Sequence, residues 1–225
     1  MTRYLLMSYR VDENAPLYPG TPPIEFKEVK AIKEGDSCNT FIARVSNHAG
    51  THIDAPKHFF ESGHAISRYP FKDLIFNDPV IIDCPKGKDE PIDAEGLLNC
   101  GPGKSPDILL IRTGFSKYRK NDMEVYSKEN PYLLPQSAEY IRNKYPSVKA
   151  IGIDGISISS HKHKDIGKQA HRVLLDDGKD GSAVLIIEDM YIPNNLTKLS
   201  ELIVVPFLGG GLDSSPCAVI GAIYD

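Results

Sequence analysis

The pattern of apolar and polar positions changes character along the chain. In the first quarter it is strand-like but interrupted. Residues 3–9 (RYLLMSY) and 24–30 (IEFKEVK) read as strands, and 38–46 (CNTFIARVS) is a better one, with Phe41, Ala43 and Val45 alternating. Residues 57–78 are aromatic and irregular, broken by Gly63 and Pro70. From there the apolar runs become continuous. PVIIDC (79–84), DILLIRT (107–113) and VKAIGID (148–154) read as strands buried on both faces. AVLIIED (183–189), LIVVPF (202–207) and PCAVIGAIY (216–224) are further strands. Pro135 opens a helix, PQSAEYIRNKY, that Pro146 stops, and a second helix over 165–177 ends before Gly178. The alternation of strand and helix in the second half predicts an α/β fold with a mixed sheet, in a single domain spanning 1–225.

Composition narrows the field. With 225 residues, 41% hydrophobic and 25% charged, the chain can build a core of ordinary size. A net charge of −4 leaves no basic footprint for nucleic acid. No apolar run reaches the roughly 18 residues of a membrane helix. MTRYLLMSYRVDEN lacks the features of an export signal, so a cytoplasmic location is expected. Cys38, Cys84, Cys100 and Cys217 are irregularly spaced with no CxxC pair, and reduced thiols are expected. FLGGG (207–211) lacks the Lys-Ser/Thr of a phosphate loop and reads as a tight turn.

One stretch carries chemistry. SNHAGTHIDAPKHFF places His48, His52, Asp54 and His58 within eleven residues, and these histidines are three of the seven in the chain. All four positions are even-numbered, so an extended segment would turn them to one side. A helix would not, and Pro56 argues against one. Full extension would leave His48 and His52 about 13 Å apart. A bend is therefore required, and Gly50 can supply it. Two imidazoles and a carboxylate suit zinc or another borderline divalent ion and leave a position open for water, the pattern of a catalytic site. The plain alternative is a solvated, His-rich loop.

Other candidates read less sharply from the residues alone. His171 shares a helical stripe with Leu174 and Leu175 and by itself reads as a core histidine. Glu188 follows the apolar run VLII, where an unpaired charge is costly; a metal or a salt bridge would satisfy it. His161 and His163, in SSHKHKD, read as surface residues but are rival ligands. Asp154 either shapes the site or caps a turn.

HAGTHIDAPKH fits HxGTHxDxPxH and resembles the signature of the cyclase family, which includes bacterial kynurenine formamidase (arylformamidase) and isatin hydrolase. LYPGTPP (17–23), IGIDGIS (151–157), HRVLLDDG followed by VLIIED, and GLDSSP (211–216) resemble other family segments. The resemblance implies a metal-dependent hydrolase of a swivelling β/β/α type. It implies that His48, His52 and Asp54 bind a first divalent ion and that Asp54 bridges to a second. His171 would ligate the second and Glu188 would bridge both, while His58 would be the general acid/base. The implied cofactor is one or two Zn2+ ions per chain, with Mn2+ as the alternative. The implied reaction is hydrolysis of N-formylkynurenine, in tryptophan catabolism, by metal-activated water. Opening of a cyclic amide such as isatin is the nearest rival, and a non-catalytic metal-binding or regulatory role on the same scaffold is the rival from another class. A homodimer or homotetramer is expected. Three departures stand out: an insertion, GKDGSA (178–183), between His171 and Glu188; Tyr18 in the early turn where the formamidases place a Trp; and Ala218 where relatives often carry an Arg.

Overall fold

A computed structural model describes residues 1–99, 105–178 and 183–224; Cys100 and most of GKDGSA lie outside them. Strand β1 (Thr2–Leu6) is followed by a hairpin of β2 (Glu25–Lys30) and β3 (Thr40–Arg44), then β4 (His52–Asp54), β5 (Ile75–Phe76) and β6 (Pro79–Asp83). Next come β7 (Pro91–Ile92), α1 (Ala94–Asn99) and β8 (Ile108–Arg112). Helices α2 (Tyr118–Asn121) and α3 (Met123–Lys128), β9 (Tyr132–Leu133) and α4 (Pro135–Lys144) lead to β10 (Ala150–Ile153), α5 (Lys164–Leu175) and β11 (Leu185–Glu188). Strands β12 (Glu201–Pro206) and β13 (Ser214–Tyr224) complete the described order.

Nine strands form one mixed sheet in the order β5-β12-β13-β4-β11-β10-β8-β6, with β1 also paired to β13. Strands β6, β8, β10 and β11 run parallel, each joined to the next by a connection carrying at least one helix. Strand β4 joins antiparallel to β11 on one side and to β13 on the other. The α/β fold with a mixed sheet expected from the sequence is present. The strand and helix expectations fall on real elements, with ends shifted by a few residues.

Two expectations need correction. PVIIDC is an edge strand rather than one buried on both faces: Val80 and Ile81 are half-buried and Asp83 is exposed. The even-numbered positions 48–58 do not lie on one extended segment. Only His52–Asp54 is strand; Gly50 turns the chain before it with φ +67°, and Pro56–His58 forms a single 3₁₀ turn after it. Gly50 also accepts the close approach of Val11, so a side chain there is excluded twice over.

Alternation across the sheet splits the core in two. Leu109, Ile111, Ile151, Ile153 and Ile186 face α4 and α5, packing on Ala138, Ile141, Ala170 and Leu174. Ile108, Leu110, Leu185, Ile187 and Ile53 face the other way, against Met190, Leu202, Val204 and Val219. With Ile53 on the far face, the period of two turns His52 and Asp54 toward α5. With Ile187 on that same far face, Glu188 turns toward α5 as well.

Helix α5 lies close because of Gly167. A Cβ there would meet the Ser159 Cα at 2.7 Å, and backbone cannot rotate aside. Gly167→Ala is expected to push α5 off the loop carrying Ser159 and to cost about 1–3 kcal/mol of stability. Urea unfolding would show this as a lower midpoint at unchanged slope.

Candidate metal centre

Strand register builds the centre. His52 sits opposite Glu188 across the β4–β11 pair, and Asp54 opposite Ile186. Side chains directly opposite in an antiparallel pair are close enough to touch. His52 Nε2 lies 3.4 Å from Glu188 Oε2 and 3.7 Å from Asp54 Oδ1. From α5 above, His171 Nε2 lies 3.3 Å from Glu188 Oε1 and 3.9 Å from Asp54 Oδ2. His48, brought back by the Gly50 bend, places Nδ1 3.2 Å from Asp54 Oδ1. Glu188 thus spans two imidazoles, one oxygen toward each, and Asp54 reaches three, with Oδ1 toward His48 and His52 and Oδ2 toward His171.

The imidazoles are held from behind. His52 Nδ1–H donates to the Gly50 carbonyl at 2.8 Å, and His171 Nδ1–H donates to the Gly167 carbonyl one helical turn back at 2.8 Å. A carbonyl can only accept, so Nδ1 keeps its proton in both rings, and Nε2, toward the carboxylates, is the nitrogen free to ligate once the ring is neutral. Glu188 is fixed in turn by Ser157 Oγ–H (2.9 Å) and the Ile158 N–H (2.7 Å). The Thr51 hydroxyl donates to the Asp189 carbonyl and accepts from the Tyr9 N–H, tying β4 to the end of β11.

The donor atoms fit a divalent ion. His48, His52 and Asp54 form one set, and Asp54, His171 and Glu188 a second, with the ligand atoms of each within 4.8 Å of one another. Ligands on a tetrahedral zinc with bonds of 2.0–2.1 Å stand roughly 3.3 Å apart, close to the spacings present. His52 Nε2 and both oxygens of Asp54 are buried without a hydrogen-bond partner. Leaving such atoms unpaired is costly, and a cation would satisfy all three. Asp54 is shared by both sets, as a bridging ligand must be.

Without a metal the two acids and three imidazoles stabilise one another's charge. Burial would lower the pKa of His48, yet the Asp213 and Asp54 carboxylates outweigh it and hold the ring at about 10. His52 and His171 are also raised: burial opposes this, and Asp54 and Glu188 overcome it. Burial would raise Asp54 and Glu188, but the imidazoles beside them bring both down.

His58 lies beside these sets with its own partner, donating from Nδ1 to Asp213 Oδ2 at 2.9 Å. Its ring packs on His48 at 4.3 Å between centroids and edge-on to Phe59 at 4.6 Å. Both line a cleft of about 430 Å³ that opens over the donor sets and is also walled by Tyr18, Ile156 and Ser159. Burial of Tyr18 in this wall raises the pKa of its phenol. His161 and His163 belong to neither donor set among the described residues. His161 stacks edge-on to Tyr18 and His163 lies on Tyr132, so His171 completes the second set. Asp154 caps a turn, accepting from the Thr113 N–H and hydroxyl and the Gly114 N–H. Ala218 is exposed on β13 and does not line the cleft. Sequence reasoning missed Asp213, Ser157 and Phe59. The GLDSSP turn was the one signal for Asp213, but nothing in it tells a site carboxylate from a turn residue.

The "Putative cyclase" family model matches residues 6–160, and the chain belongs to the cyclase family. Kynurenine formamidase of Geobacillus thermodenitrificans is 31% identical over 221 residues, covering 96% of this chain and 95% of that protein. Isatin hydrolase A from Labrenzia aggregata shares the fold with a TM-score of 0.82 at 20% identity, covering 100% of this chain and 94% of that one. A predicted metal-dependent hydrolase from Bacillus stearothermophilus matches with a TM-score of 0.75 at 19% identity, covering 99% and 98%. His171, Glu188 and Asp213 lie beyond the segment the family model matches; the fold brings them to it. No helix among the described residues is long and apolar enough to cross a membrane.

Two outcomes are expected. Asp54→Ala loses all bound zinc and His171→Ala about half of it, measured by elemental analysis after dialysis. Because the metal-free imidazoles hold protons and ligation needs them neutral, metal binding expels protons. Apparent zinc affinity therefore rises with pH between 6 and 9, and binding heats depend on the ionisation enthalpy of the buffer.

Proposed function

We propose that this chain is a metal-dependent amidohydrolase acting on an aryl formamide, with N-formylkynurenine the preferred substrate. The observation that carries the reading is the shared-carboxylate pair of donor sets on the floor of an apolar cleft, with His58 beside them. The 31% identity to a kynurenine formamidase over nearly the whole chain supports the substrate class. A cleft of about 430 Å³ suits a ligand of one aromatic ring and a short side chain. Tyr18 and Phe59 offer rings against which it can pack.

His48, His52 and Asp54 would hold one ion, and Asp54, His171 and Glu188 a second. Zinc or manganese held there would supply Lewis acidity toward water and the substrate carbonyl. His58 moves the proton. Its ring takes one from the attacking water and delivers it to the leaving nitrogen as the C–N bond breaks, releasing formate and the arylamine. The tautomer-locked rings of His52 and His171 hold the floor rigid while this happens. Assembly as a homodimer or homotetramer belongs to the same reading. Exposed Phe26, Val29, Phe41 and Ile42 on the β2–β3 hairpin supply apolar surface for it.

The test is metal content with N-formylkynurenine hydrolysis on the same samples of wild type, His58→Ala and Glu188→Ala. His58→Ala is expected to keep its metal and lose turnover by at least about 10²-fold; Glu188→Ala is expected to lose both. Loaded protein that opens isatin instead would move the substrate to cyclic amides. Loaded protein inert toward both would favour a non-catalytic metal-binding role.

A further inference from the structure

Asp213 belongs to neither donor set described above; with His48 and His58 it forms a third group of close donor atoms, and its contacts are specific. Its Oδ1 accepts the Asn47 side-chain amide at 2.7 Å. Its Oδ2 accepts from His48 Nε2 at 3.0 Å and from His58 Nδ1 at 2.9 Å. The residue is locked in place. The Asp213 carbonyl takes the Ala55 N–H, and the Ser214 hydroxyl donates to the Asn47 carbonyl, joining the loop before β13 to those flanking β4. One carboxylate oxygen thus reaches a metal-ligand histidine and the acid/base histidine together.

The consequence for His58 follows from the two nitrogens of a neutral imidazole. One donates and the other accepts. A carboxylate on Nδ1 requires the proton there, which leaves Nε2 bare and able to take a proton from water. We propose that Asp213 is a positioning residue: it fixes His58 in the Nδ1–H tautomer and, through Nε2–H of His48, steadies that ring with Nδ1 toward Asp54. This rests on the hydrolase reading above and adds a residue that acts through His58 rather than on substrate.

The Oδ2 position takes N–H donors from two rings, whereas Oδ1 takes one, from Asn47. In Asp213→Asn the amide oxygen therefore faces His48 and His58, and its NH₂ faces Asn47, whose side-chain amide turns to accept. That variant keeps an acceptor behind His58 without the charge. Asp213→Ala removes the acceptor and imposes neither tautomer. A space-filling role would leave the tautomer of His58 unchanged in both variants.

The experiment uses the full chain loaded with zinc, with rates expressed per zinc-loaded molecule. Side-chain ¹⁵N NMR, assigned with His58→Gln, reads the tautomer without substrate, so this arm stands even if N-formylkynurenine proves not to be hydrolysed. Wild type and Asp213→Asn are expected to show His58 as Nδ1–H, and Asp213→Ala a mixture of both tautomers. With N-formylkynurenine, kcat is expected to fall at least about 10-fold in Asp213→Ala and less in Asp213→Asn, with KM within about threefold. A wild-type Nε2–H tautomer would overturn the proposal. So would an Ala variant that keeps the wild-type tautomer, or a loss that vanishes once rates are corrected for zinc.

Discussion

The pairing of β4 with β11 is the constraint on which the centre depends. It sets His52 against Glu188 and, two positions along the same face, Asp54 beneath α5. A slip of β4 by one residue would turn His52 and Asp54 to the opposite face, away from Glu188, and bury them among Ile187, Leu202 and Val219. The register is guarded on both flanks. Strand β13 pairs with the other edge of β4, and Ile53 is fully buried in the far core, so the strand cannot shift without exposing it. A three-residue strand of ordinary hydrophobicity would be a poor anchor alone; held between two neighbours it becomes one of the best-determined parts of the sheet.

Around that pair, the protein uses backbone carbonyls for work that is often given to acidic side chains. Gly50 and Gly167 each accept from the Nδ1–H of a ligand histidine, and each is a glycine for a second reason: one turns the chain through positive φ, the other lets α5 touch Ser159. Orienting the rings through glycine carbonyls keeps additional charge out of a buried region already holding two carboxylates. The region left outside this economy is the cleft mouth, where Asp213 is partly exposed and serves His48 and His58 together.

Much of this was legible in the sequence, for identifiable reasons. The bend between His48 and His52 follows from distance alone, and Gly50 was the residue that could make it. The continuous apolar runs marked the parallel strands because strands covered by helices need apolar side chains on both faces; β6, at the edge, has one covered face and escaped the rule. Glu188 was legible as a charge at the end of a buried strand. His171 was not legible from its helix, because a ligand histidine and a core histidine occupy the same stripe; the family resemblance supplied it. Asp213 was invisible for a different reason. Its partners lie 155 and 165 residues away in the chain, and no local pattern encodes a meeting of that kind. Short elements such as β5, β7, β9 and α1–α3 carry too few residues for a period to show.

Strand β13 holds one further meaning. Among the described residues it is the sole sheet partner of β1, and it is also one flank of β4 and the continuation of the turn that carries Asp213. During synthesis it emerges after every other strand described. Until then β1 has nothing to pair with, the loop bearing His48 is untethered, and His58 has no carboxylate behind it. Metal capture in the finished geometry therefore waits until β13 has emerged and paired with β4. A nascent chain stalled before residue 213 would expose the His48–His58 stretch as an open chelating peptide, at the mercy of whichever cation reached it first.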